Sequence, residues 1–282
     1  MDASAVDRSR TAPFVPATAK PTDHDLTVIV PAYNEESRLP ATLAGLKQPL
    51  DEWGLDYQVL VVDDGSTDRT AELTDQYDQR FSTLRMPQQS GKGAAVRAGM
   101  LLATGRILAF TDADLPYELT ALRQGYEWIR DDDCEVVLGA RDIDEAECRA
   151  KRRLLRTIAT TVFRGVVKTL ISRNITDTQC GLKLFSRDAA LALFSRSRVD
   201  GFAFDAEIVF LAERMGIPCR RVPTTLINEY ASTLSLSRHA VPMFLDVLHV
   251  RRRALLGIYG PRGGWTSTPP EPMPIQEMKK AA

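Results

Sequence analysis

Short β-branched runs alternate with helix-like runs across residues 26–139, and this alternation restricts the chain to few folds. Residues 26–31, 57–62, 81–86, 106–110 and 135–138 read as strands. Residues 35–46, 67–80, 92–103 and 117–130 between them read as helices. Strands separated by helices of about 10–15 residues predict a mostly parallel sheet covered on both faces. In such sheets ligands bind beyond the carboxyl ends of the strands. Three of those ends carry acids: Pro31-Ala32-Tyr33-Asn34-Glu35-Glu36, Asp63-Asp64-Gly65-Ser66 and Asp112-Ala113-Asp114. Three loaded loops on one edge point to a site.

Composition excludes several classes. Of 282 residues, 44% are hydrophobic and 26% charged, an ordinary globular balance. The four cysteines, Cys134, Cys148, Cys180 and Cys219, form no C-x-x-C pair or zinc template and read as reduced thiols. No apolar run reaches the roughly 18–20 residues that span a bilayer. Residues 1–25 lack an apolar signal core and read as a flexible leader; residues 259–282 read as a flexible Pro-rich tail. The expectation is a cytoplasmic protein. The net charge of −1 and the absence of a nucleic-acid motif speak against a nucleic-acid partner.

Two carboxylates at i and i+2 can share one hard cation, Mg²⁺ or Mn²⁺, that keeps open positions for phosphate. Either Asp112 or Asp114 can ligate directly while the other holds a metal water or a ribose; a solvated loop with helix-capping acids is the simpler alternative. Asp63 or Asp64 can accept a bond from a nucleobase N–H, while Ser66 or Thr67 caps the next helix. Tyr33 can pack on a base and Glu35 can bind ribose or base, or the segment is a turn whose acids favour a helix N-terminus. Gly91-Lys92-Gly93 opens an Ala-rich helix, where glycines admit a phosphate and Lys92 adds charge. No Walker A loop, G-x-G-x-x-G fingerprint or G-x-S-x-G elbow is present.

The second half differs. Residues 149–173 contain eight Lys or Arg and no Asp or Glu, with apolar residues at roughly helical spacing. Such a stretch either lies on an anionic membrane surface or packs on the sheet with its basic face solvated. A helix over residues 204–215, a strand over 219–227 and a helix over 241–256 follow.

Val28-Ile29-Val30-Pro31-Ala32-Tyr33-Asn34-Glu35-Glu36, Val61-Val62-Asp63-Asp64-Gly65-Ser66-Thr67-Asp68, Gly91-Lys92-Gly93 and Asp112-Ala113-Asp114 together resemble the family-2 glycosyltransferases in order and spacing. Asp177-Thr178-Gln179-Cys180-Gly181-Leu182-Lys183-Leu184-Phe185 and Gly201-Phe202-Ala203-Phe204-Asp205-Ala206-Glu207 resemble signatures of its dolichyl-phosphate β-glucosyltransferase branch and polyprenyl-phosphate relatives. The resemblance implies a GT-A fold over residues 26–258, with a donor half (26–141) and an acceptor half (142–258). It implies inverting transfer of a sugar, with UDP-glucose favoured as donor, to a lipid phosphate. Pro31, Ala32, Tyr33, Glu35, Val62, Asp63, Asp64 and Lys92 would hold the donor, and Asp112, Ala113 and Asp114 the metal and diphosphate. Arg141, Arg153, Arg156, Thr178 and Gln179 would face the acceptor. Two departures stand out: Pro116-Tyr117 replaces a Ser-Thr pair, and Ala231-Ser232-Thr233-Leu234 lacks the Lys of the usual pattern.

An acceptor phosphate is already anionic and needs positioning by arginines more than a base. A hydroxyl acceptor needs a base, for which Asp177 or Asp205 is the candidate; each can instead be structural, as turn former and helix cap. Two other readings remain: a transferase acting on a soluble polyol, sugar acid or saccharide, and a nucleotide-sugar-binding domain without catalysis.

Overall fold

A computed structural model of the chain describes residues 24–141, 165, 167, 169–172, 175, 177–225, 236–263 and 265. The expected leader and most of the tail fall outside these residues. So do Arg153 and Arg156, the Ala231 to Leu234 departure and much of the basic stretch.

The strands are β1 (Leu26–Ala32), β2 (Tyr57–Asp63), β3 (Phe81–Arg85), β4 (Ile107–Phe110), β5 (Val136–Ala140), β6 (Lys183–Ser186) and β7 (Cys219–Pro223). They form one sheet in the order β3-β2-β1-β4-β6-β5-β7. Pairing is parallel throughout except at β6, which runs antiparallel to both β4 and β5. The chain winds from β1 outward to β3, then crosses back to place β4 on the other side of β1. That reversal opens a crevice beyond the carboxyl ends of β1 and β4.

Helices cover both faces, as the alternation predicts. On one face, α1 (Leu39–Glu52) and α4 (Thr120–Arg130) bury Leu39, Leu43, Leu46, Leu122, Tyr126 and Ile129 against Val28, Val30 and Val59. The other face carries α3 (Lys92–Leu102), α5 (Arg187–Phe194), α6 (Phe204–Met215) and α7 (Leu236–Leu255). The Ala- and Gly-rich α3 lies close on the sheet: a Cβ on Gly99 would sit 2.6 Å from a methyl of Ile29. β1 is buried almost throughout, as a central parallel strand must be.

Three departures from the sequence reading have a local cause. α1 begins at Leu39, four residues late, because Asn34 takes a φ of 53° and residues 35–38 form a turn closed by the Arg38 N–H on the Glu35 carbonyl. α2 (Thr70–Asp75) is six residues long because Ser66, Thr67 and Asp68 bond to the neighbouring loop. α5 went unanticipated; Ser186 starts it, its Oγ accepting from the Ala189 N–H. Among the described residues, no helix is long and apolar enough to cross a membrane. Cys134, Cys180 and Cys219 are free thiols.

Candidate active site

The loops after β1 and β2 are stitched together. The Asn34 N–H donates to Ser66 Oγ (2.9 Å), the Thr67 N–H to Asn34 Oδ1 (2.9 Å) and the Glu35 N–H to Thr70 Oγ1 (2.9 Å). Glu36 accepts from the Arg69 N–H (3.1 Å), and its own N–H donates to Asp68 (3.1 Å). The rim is therefore set by side chains before any ligand arrives.

Asp63 and Asp64 belong to that rim. Asp63 accepts the Ser66 N–H at 2.9 Å. Asp64 accepts the Ser90 and Gly91 N–H groups at 2.7 and 2.8 Å, one on each oxygen. Burial pushes the Asp64 carboxyl up, and those two bonds oppose the shift. Both side chains are buried and bonded to backbone, so their visible work is to shape loops. The Val62 side chain packs in the core against α3 near Gly99. Ala32 is buried too, and its carbonyl accepts the Asp64 N–H. Tyr33, 39% exposed beside the half-buried Glu35, is the aromatic face open to a base.

The start of α3 also differs from expectation. Gly91 adopts a φ of 105°, and a Cβ there would meet the Asp200 carbonyl at 2.5 Å. The Gly93 and Ala94 N–H groups donate to that same carbonyl (2.7 and 3.2 Å). The glycines thus admit a protein backbone, and the Gly91, Gly93 and Ala94 N–H groups are bonded within the protein. The Lys92 ammonium pairs with Asp112. Burial disfavours its charge, but Asp112, Asp205 and Asp114 outweigh that and raise its pKa.

The Asp112-Ala113-Asp114 loop is held from three directions. Thr42 of α1 donates to the Ala113 carbonyl. Gly181 lies against Asp112, so that a Cβ there would run into the carboxylate. Lys92 holds the third side. Burial, then the Asp112 charge, pushes Asp114 up. Burial raises Glu35 as well; Arg38, 3.3 Å away, opposes this, while Asp114, Asp68 and Asp112 add to it. Glu35, Asp112 and Asp114 therefore carry a surplus of negative charge. Among the described residues no group of three His, Cys, Asp or Glu forms a complete metal cage. An all-oxygen pair with surplus charge fits a hard divalent cation held by few protein ligands, with positions left for phosphate oxygens. A cavity of about 600 Å³ adjoins Asp114, bounded by Arg38, Thr42, Trp53, Tyr117, Leu119 and Arg123 among others.

Arg141, at the end of β5, meets Asp177 in a two-pronged pair: Nε to Oδ2 at 2.9 Å and Nη2 to Oδ1 at 2.6 Å. Its backbone N–H adds a third bond to Asp177 at 3.0 Å. Tyr117, the departure from the family pattern, is buried with its hydroxyl 3.5 Å from Arg141 Nη1 and 3.4 Å from the Gly181 N. It links the acidic loop to the arginine. Thr178 Oγ1 and Gln179 Nε2 are buried next to this pair with no bonding partner among the described residues. Asp205 is not an accessible base. It is buried against Lys183, whose ammonium donates to Asp205 Oδ1 at 2.5 Å and to the Cys180 carbonyl at 2.7 Å. The sequence reading gave Lys183, Thr42 and Tyr117 no role in the site. A Lys within the apolar run before Ser186 was the one available signal for the first.

The matches to known proteins agree with this geometry. Residues 27–194 match the family described as Glycosyl transferase family 2. A dolichyl-phosphate β-glucosyltransferase from Dictyostelium discoideum is 35% identical over 83% of this chain and 76% of its own length. The Drosophila melanogaster protein of that name is 36% identical over 83% and 77%. Among solved structures, glucosyl-3-phosphoglycerate synthase from Mycobacterium tuberculosis, bound to Mn²⁺, UDP and glucosyl-3-phosphoglycerate, superposes with a TM-score of 0.60 at 18% identity, over 84% of this chain and 81% of that one. Mannosyl-3-phosphoglycerate synthase from Rubrobacter xylanophilus gives 0.63 at 15%, over 83% and 76%. The mixed seven-stranded sheet, with an acid pair at its switch point, is that of a glycosyltransferase of the GT-A fold. Within that class, the chain belongs to glycosyl transferase family 2.

Proposed function

We propose that the chain transfers glucose from UDP-glucose to a polyprenyl or dolichyl phosphate, with inversion at the anomeric carbon. The observation that carries this reading is the pairing state of the carboxylates nearest Arg141. Asp177 is held by Arg141 and Asp205 by Lys183, so neither is free to take a proton from a hydroxyl. An acceptor that arrives already anionic needs no such base. Arg141, fixed by Asp177, offers a positioned cation for its phosphate. The relatives named as dolichyl-phosphate β-glucosyltransferases support both the sugar and the acceptor class.

The acceptor oxygen attacks the anomeric carbon from the face opposite the diphosphate. The bond to the diphosphate breaks, and its electron pair leaves on the phosphate oxygen. Asp112 and Asp114 would hold Mg²⁺ or Mn²⁺, which when bound supplies positive charge to the departing diphosphate. Lys92 adds a second cation to that loop, and Tyr33 and Glu35 line the way to base and ribose. Thr178 Oγ1 and Gln179 Nε2, lacking protein partners among the described residues, are available to the sugar or the acceptor phosphate. The M. tuberculosis fold neighbour, bound to a phosphoglycerate glucoside, favours a soluble anionic acceptor as the second reading.

The test is UDP release from UDP-glucose, with and without polyprenyl phosphate, in the presence of Mn²⁺. The lipid phosphate is expected to stimulate release in the wild type. Asp114→Ala is expected to lower turnover about 10²-fold or more while the fold persists. Near-normal turnover in that variant defeats the metal assignment. Stimulation by phosphoglycerate alone favours the soluble acceptor.

A further inference from the structure

Helix α7 has two unlike faces. Val247 and Val250 are fully buried against the core, and Met243 and Ala254 pack beside them. On the opposite side Val241, Phe244, Leu245, Leu248, Leu255 and Leu256 are all exposed, Leu255 to 88%. These positions follow helical spacing and make one stripe. Isolated surface leucines need no explanation, but a contiguous apolar stripe on a soluble fold marks a contact surface.

The charge on that stripe is of one sign, that of Arg252. His249 and Arg252 are the exposed polar residues among its leucines, and no carboxylate faces outward from residue 241 to residue 258. The acid of this stretch, Asp246, turns away toward Gly201, where a Cβ would lie 3.3 Å from its Oδ2. The remaining arginines face sideways or inward: Arg251 stacks 5.5 Å over Phe210, and Arg253 lies 3.8 Å from Glu207. A chain with net charge −1 thus presents an acid-free apolar face with cationic punctuation. That combination complements an anionic bilayer, whose headgroups attract Arg while the acyl boundary takes Leu and Phe.

On the side away from the stripe, α7 approaches the start of α3: Asp246 faces Gly201, next to Asp200, whose carbonyl accepts from the Gly93 and Ala94 N–H groups. We infer that α7 docks on an anionic membrane surface through Phe244, Leu245, Leu248, Leu255 and Leu256, holding the protein at the surface where a lipid phosphate resides. The contact with the bilayer stands on the helix itself. Its service to catalysis rests on the lipid-phosphate reading above.

Co-sedimentation of the full chain with vesicles tests it, comparing pure phosphatidylcholine with phosphatidylcholine containing about 30% phosphatidylglycerol. Binding is expected to the anionic vesicles and to fall with added salt. Leu245→Ser with Leu248→Ser, and separately Phe244→Glu with Leu248→Glu, are each expected to weaken partitioning about tenfold or more. These side chains are exposed, so thermal midpoints should hold, and that measurement guards against unfolding. Unchanged vesicle binding in both folded double variants overturns the inference. So does a wild-type dimer that the variants split while vesicle binding persists, since the stripe then serves a second copy. A short water-soluble polyprenyl phosphate separates the two readings. Equal turnover of it by wild type and variants supports docking as delivery. No turnover by either, alongside variant-sensitive vesicle binding, removes the acceptor reading and leaves the docking face standing.

Discussion

On the β1, β2 and β4 side of the crevice, burial raises Glu35 and Asp114, and neighbouring acids add to both shifts, with Lys92 and Arg38 as the nearest counter-charges. On the β5 and β6 side each acid has its own partner. Asp177 grips Arg141, Asp205 holds Lys183, and Glu207 accepts from Tyr259 at 2.5 Å and from the Arg198 and Val199 N–H groups at 2.8 Å each. The difference separates two uses of a carboxylate. A matched acid stiffens its own half of the fold. A cluster with more acids than cations costs stability in the free protein and is relieved by whatever cation the site takes up.

The strongest way to break this comparison is to remove a matched partner. Lys183→Met leaves Asp205 buried without its ammonium, and urea unfolding is expected to show a loss of about 3–5 kcal/mol. Burial already raises Asp205, and without Lys183 its folded pKa rises further. The variant should then be most stable below the ordinary carboxylate range and lose stability as pH rises through the folded pKa. Adding Asp205→Leu should recover most of the loss. A Lys183→Met protein as stable as wild type would mean the pair is ornamental.

The unmatched side should respond in the opposite sense. Mn²⁺ with UDP at about 100 times its Kd is expected to stabilise the protein by about 2.7 kcal/mol, read as a rise in melting temperature. Asp114→Asn should lose most of that rise. An equal shift in the variant would place the cation elsewhere.

The smallest expected effect probes geometry at constant charge. Arg141→Lys keeps the cation but cannot reproduce the paired Nε and Nη2 bonds to Asp177. Turnover with polyprenyl phosphate should fall about tenfold, equivalent to about 1.4 kcal/mol, with little change in melting temperature. Full activity would show that charge alone suffices at this position.

Much of the donor edge was legible in the chain. β-branched runs and helix-like runs locate strands and helices, and parallel connectivity brings the strands' carboxyl ends to one edge. Tyr33, Glu35, Asp112 and Asp114 could therefore be nominated before any coordinates, and the family resemblance added Arg141. Direction and pairing were not legible. The four residues of β6 alternate identically whichever way they run, and their antiparallel course follows from pairing with β4 and β5. Lys183 reads as an anomaly in an apolar run because its partner lies 22 residues on, at the start of α6. The glycines before α3 looked like room for phosphate because residue type reports that space is needed, not what fills it. Here the Asp200 carbonyl fills it.

By itself, the sequence determined the α/β class, the edge of the sheet that carries the chemistry, and the acids and arginine that stand there. The class, the edge and the acids follow from local pattern and chain connectivity, and the arginine from the resemblance to a known family. Only the tertiary structure decided which charges are spent and which are left over. Whether Asp64, Asp177 or Asp205 can meet a ligand depends on the N–H groups, Arg141 and Lys183 that folding brings within about 3 Å of each. The same holds for α7. Its apolar positions are written in the chain, but which of them face the core and which face outward is set by the packing of one side against the core that α6 shares.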